Sequence, residues 1–156
     1  MIPVTARPPM TRPPASTNWP LWSVLPEMGA LPTAPRTARA HARDVLAAWR
    51  LPGFTDNALL VASELVTNAV RQCHDASGSP VYINGKLPVV QLSMFSNRAR
   101  LLIAVYDQAP GVPKERHPDR NAETGRGLAI IATLGTWDWH PAQGGKIVRA
   151  FLAAAA

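Results

Sequence analysis

Residues 55–71 read Thr55-Asp-Asn-Ala-Leu-Leu-Val-Ala-Ser-Glu64-Leu-Val-Thr-Asn68-Ala-Val-Arg71. Leu60, Val61, Leu65, Val66, Ala69 and Val70 recur at helical spacing, and Thr55-Asp56 offers a cap and a carboxylate at the positive helix end. Glu64 and Asn68 stand four apart, so they share one face a turn from each other. If that face is buried, a carboxylate and an amide there need partners, because unpaired burial is costly. A helix whose Glu64, Thr67, Asn68 and Arg71 simply face water fits the same residues.

Upstream, Leu31-Pro32-Thr33-Ala34-Pro35 starts another helix with proline near its first turn. Ala38, Ala42, Val45, Leu46 and Trp49 carry its apolar stripe, and Leu51-Pro52-Gly53 stops it. Downstream, Val89–Phe95 and Arg100–Tyr106 read as strands of a hairpin turning at 96–99. Pro110 to Thr124 is polar and aperiodic for about fifteen residues, the length of a lid or binding loop. Gly125 then leads a helix to Leu134, and Thr136–His140 and Lys146–Leu152 are strands around Gly144-Gly145. Five of the 16 prolines precede Trp19 in a stretch without periodicity, so residues 1–30 are expected to be a disordered or edge-docking tail and 31–156 the domain. Prolines at 20 and 26 exclude Trp19–Leu25 as a central strand but allow an edge strand.

Composition narrows the function. A hydrophobic fraction of 47% fills one core, and a single cysteine, Cys73, excludes an internal disulfide and any multi-cysteine metal site. The expected home is a reducing cytoplasm, with no leader at Met1 and no apolar run long enough for a membrane. Up to Arg43, five arginines face only Glu27, so +4 of the net charge of +6 belongs to the tail and first helix. No basic stripe is interleaved with aromatics. That favours a solvated basic face or an acidic protein partner over nucleic acid.

Two further motifs carry chemistry. Asp107 ends an apolar strand and opens Asp107-Gln-Ala-Pro-Gly111. A strand-end carboxylate can accept a hydrogen bond from an exocyclic amine, and Gly111 lets backbone approach a flat ligand, although the same residues make an ordinary turn. Gly125-Arg126-Gly127-Leu128 opens a helix where backbone N–H groups can hold an anion, or where two glycines merely join loop to helix. Its spacing is neither a Walker A loop nor a dinucleotide fingerprint.

Taken in order, the Asn68 helix, the strand-end Asp107 with Gly111, a polar lid, Gly-x-Gly-Leu and a Gly-Gly-Lys strand resemble the plan of the GHKL ATPases. More closely, Ser63–Arg71 and Gly125–Leu128 resemble the short stand-alone relatives of high-GC bacteria that look like anti-sigma-factor serine/threonine kinases. The resemblance covers roughly Leu31 to Phe151 and implies an α/β (α+β) two-layer sandwich, a mixed, mostly antiparallel sheet with helices on one face. It implies ATP and Mg²⁺ as cofactors, with Asn68 as the protein ligand to Mg²⁺ and Asp107 on the adenine amine beside Gly111. Gly125, Arg126, Gly127 and Leu128 would cradle phosphates, Arg71 and Lys146 would reach the nucleotide, and Glu64 would be the general base. The implied partners are a sigma factor and an anti-anti-sigma (STAS-like) protein, and the implied assembly is a homodimer.

This chain departs from that pattern at Ala109, where glycine is frequent, and at Ile147, where a threonine hydroxyl is usual. Those departures motivate an alternative, a nucleotide-responsive regulator that binds a partner without phosphorylating it. His41, His74, His117 and His140 lack ligand spacing, Cys73 reads as a buried thiol, and Trp137 and Trp139 alternate on one strand face.

Overall fold

The structure, a computed structural model, describes residues 18–113 and 126–154. The segment before Asn18 and most of the expected lid lie outside the described residues. At the centre is the expected hairpin, β3 (Val89–Ser96) and β4 (Arg100–Asp107), with every residue after the first of each strand buried. Asn97 makes the turn, its Oδ1 accepting the Ala99 and Arg100 amides at 3.0 and 2.8 Å.

Around this hairpin the sheet runs β1-β3-β4-β6-β5, with β2 also on β3. β1 (Leu21–Val24) and β2 (Met28–Gly29) pair with opposite ends of β3 and so form one interrupted edge. Pro26, which has no N–H to donate, falls in the gap. Both strands come from the stretch expected to be an edge-docking tail. β5 (Thr136–Ala142) and β6 (Gly145–Ala153) complete the other side, and each described pairing is antiparallel.

Helices α1 (Ala34–Trp49), α2 (Thr55–Gln72) and α3 (Arg126–Leu134) pack on one face, with α2 touching α1, α3 and three strands. Ala38, Ala42, Ala58 and Ala62 are fully buried, and their small side chains let α1 and α2 approach closely. Strand alternation sends Leu92, Met94, Ile103, Val105 and Val148 toward the helices. Phe95, Leu102, Ala104, Tyr106 and Ile147 gather with Trp19 on the other face.

One local expectation is corrected. Thr55 does not cap α2; it is the first helical residue, and Phe54 holds the cap position without a side-chain bond. The reason is the 3₁₀ turn Pro52–Phe54, which runs directly into the helix and orders its first turn.

Gly145 has a specific duty where β6 begins. A Cβ there would collide with the Asp107 carbonyl of the neighbouring strand. Gly145→Ala should therefore cost about 2–4 kcal/mol in urea unfolding. A loss below about 0.5 kcal/mol would contradict this close approach.

Candidate functional site

Asp107 closes β4 directly opposite Lys146 of β6. Residues paired across antiparallel strands point to the same side, and these two are only 1% and 2% exposed. Lys146 Nζ donates to Asp107 Oδ1 at 2.7 Å and to the Ala109 carbonyl at 3.1 Å. The Ala109 amide donates to the same Oδ1 at 2.9 Å. Both bonds thus fall on one oxygen, and no described residue bonds Oδ2. Burial pushes the Asp107 carboxyl above its ordinary value, while the Lys146 bond and charge and then the Ala109 amide oppose the rise.

Cys73, which follows α2, lies against this carboxylate. Burial pushes its thiol up to about 11, the Asp107 charge adds to the rise, and the Gln108 amide, Lys146 and the Ala109 amide oppose it. At 3% exposure the sulfur is also shielded. Near pH 8 the native protein should react with iodoacetamide about 100-fold more slowly than the unfolded chain, or slower. Equal rates would contradict the buried placement.

On α2, Asn68 is 7% exposed, no hydrogen bond joins its amide to another described residue, and the amide atoms are not sealed from solvent. A mostly buried side chain whose amide stays open to solvent and unbonded among the described residues fits a position that a ligand can reach. One turn earlier, Glu64 is half-buried beneath α3. A Cβ on Gly127 would stand 2.7 Å from Glu64 Oε2, so glycine is what admits the carboxylate to the start of α3. Glu64, Thr67, Arg71, Arg126, Gly127 and Ile130 line one cavity of about 240 Å³. This pocket combines a carboxylate, two arginines and a helix start.

The structure therefore divides the expected residues into two groups. Glu64, Arg71, Arg126 and Gly127 come together, with Asn68 a turn away on the same helix. Asp107 and Lys146 come together at the β4–β6 end. Gly111 has φ +100°, a left-handed backbone that favours glycine. Leu128 is in the core at 1% exposure, so its side chain packs and only its backbone could serve a ligand. Gly125, with Arg116, His117, Asp119 and Arg120, lies outside the described residues.

The Lys146 ammonium is bound to Asp107 and Ala109, and Lys146 belongs to the Asp107 group and not to the lining of the Glu64 pocket. Ile147 points to the opposite face, among Trp19 and Phe95, so the missing hydroxyl at 147 is not missing from the Asp107 side. The Arg39 Nη1 bond to Ser63 Oγ at 2.8 Å has no sequence signal. Among the described residues no three His, Cys, Asp or Glu side chains converge on a metal position. His41 bonds Ser23 Oγ and His74 bonds the Ala30 carbonyl. No described helix is long and apolar enough to cross a membrane.

A three-helix layer on an antiparallel sheet, with an amide-bearing helix packed on the Gly127 end of α3 and a buried strand-end aspartate, defines an ATPase domain of the GHKL kind. The histidine kinase-like ATPase domain family matches residues 28–151, and the chain belongs to that family. Domains of this family bind ATP, usually with Mg²⁺. No curated protein matches the chain.

Proposed function

We propose that this chain is an ATP-dependent serine/threonine kinase of the anti-sigma kind, which holds a sigma factor and phosphorylates an anti-anti-sigma (STAS-like) protein as a homodimer. The observation that supports this best is Glu64, a carboxylate placed with Arg71 and Arg126 beside the α3 start and apart from Asp107. Adenine binding does not need a carboxylate there, but phosphoryl transfer to a hydroxyl does.

In this account Asp107 Oδ2 accepts the adenine amine while Lys146 and Ala109 hold Oδ1. Asn68 would be the protein ligand to Mg²⁺, which when bound neutralises phosphate oxygens. Glu64 takes the serine proton as the serine oxygen bonds to the γ-phosphorus, the bond to the β–γ bridging oxygen breaks, and ADP leaves with that electron pair. Arg71 and Arg126 offset the negative charge gathered around the phosphoryl group.

The non-catalytic alternative loses one of its two grounds, because Ile147 faces away from Asp107. Incubation of the protein and labelled ATP with candidate anti-anti-sigma proteins separates the two. A labelled serine supports the kinase; saturable ATP binding with no label in any of them supports the binding regulator.

A further inference from the structure

Part of the net positive charge has a structural address on α1. Arg36, Arg39 and Arg43 follow helical spacing along one side, and Arg50 caps the end of the helix in a left-handed backbone. Arg36, Arg43 and Arg50 are exposed, as are Ala40 and Ala47 between them. The ion pairs among the described residues are Lys146–Asp107 and Arg149–Asp138, so none of these four arginines is neutralised by one. Asp44 is the helix's one acidic residue.

This side borders a cleft. A cavity of about 500 Å³ opens between the first half of α1 and the end of α2, where Arg36, Arg39, Thr67, Arg71 and His74 meet. Its remaining wall includes Pro32, Pro35 and Val70, which is apolar. Arg39 is held in place by its bond to Ser63, next to Glu64. Thr67 and Arg71 line both this cleft and the Glu64 pocket, so the two are neighbours on either side of α2's last turns. Toward the other end of α1, Arg43, Ala47 and Arg50 line a second cavity of about 380 Å³.

We infer that this cleft seats an acidic segment of a protein partner, its carboxylates on Arg36 and Arg39 and, farther along α1, on Arg43 and Arg50. Guanidinium groups pair with carboxylates in a bidentate fork, and an apolar wall suits the side chains between them. Nucleic acid fits less well: α1 exposes no aromatic side chain on which a base could stack, since Trp49 is packed against the core. The seating stands on charge and cavity alone. That the seated segment presents a hydroxyl to Glu64 rests on the kinase function proposed above.

The test is fluorescence anisotropy on the full chain at about 0.15 M salt, where exposed charges act over about 8 Å. The probes are a labelled peptide with several Glu around one Ser, the same peptide with Gln for Glu, and a labelled DNA duplex. The Glu peptide should bind saturably and more tightly than either control. Arg36→Glu and Arg43→Glu, both at exposed positions, should each weaken it, Arg36→Glu by about tenfold or more. ATP affinity should stay within about twofold of the unaltered protein, which also shows that the variants fold. Equal binding of the Glu and Gln peptides, no saturable binding of the Glu peptide, or tighter binding of the duplex would overturn the inference. A chain that binds the Glu peptide but not ATP keeps the cleft and loses the kinase; one that binds ATP but not the peptide does the reverse.

Discussion

Asp107→Asn should weaken ATP binding by about 100-fold, near the upper end for a hydrogen bond to a charged group. The direction follows from the two donors on Oδ1. Lys146 and the Ala109 amide both point at that oxygen, so an asparagine would turn its carbonyl to them and its NH₂ to where Oδ2 was. A donor would then face the adenine amine, itself a donor. The substitution also leaves the Lys146 ammonium buried without its counter-charge, at a cost of about 3 kcal/mol or more. Adding Lys146→Met should recover much of that stability, because the unpaired charge is gone, but no ATP affinity. Recovery of both would make Asp107 a structural residue alone.

The same pair has a pH signature. Burial raises the Asp107 carboxyl even with Lys146 beside it. Lys146→Met removes the opposing charge, so the carboxyl should rise further. A folded-state value above the unfolded one favours the native state at low pH. That contribution is lost as pH rises from the ordinary carboxylate value through the raised one. Lys146→Met should therefore lose more stability than the unaltered protein as pH rises across that window, as urea unfolding at several pH values would show.

Glu64→Gln should lower phosphoryl transfer by about 10²–10⁴-fold, the usual contribution of a positioned general base, while ATP affinity changes less than about twofold. Glutamine keeps the shape beside Gly127 but cannot take a proton. Single-turnover transfer of labelled phosphate, measured beside calorimetric ATP binding, separates chemistry from affinity. A variant that transferred phosphate at the original rate would remove Glu64 from the mechanism.

Much of this arrangement is legible in the chain. The three helices and the β3–β4 hairpin follow from periodicity and from turn residues such as Asn97. Asp107 stands out because a carboxylate ends an otherwise apolar strand. The pairing of Asp107 with Lys146 is less accessible, since it depends on the register of β4 against β6, two strands separated in sequence by α3 and β5. The same register turns Ile147 away from the site, which composition and motif cannot reveal. The short β2 has too few residues for a pattern, and Arg39–Ser63 joins two helices whose relative rotation only packing sets. Cys73 reads in sequence as an idle buried thiol, and only the fold places it against Asp107.

The central claim is an ATP site built from α2, the α3 start and Asp107, and calorimetric titration of ATP into the full chain with Mg²⁺ tests it most directly. The expected result is saturable binding at one site per chain, weakened by Asn68→Ala in Mg²⁺ and by Asp107→Asn/Lys146→Met. No heat of binding at millimolar ATP, or binding indifferent to both changes, would contradict it.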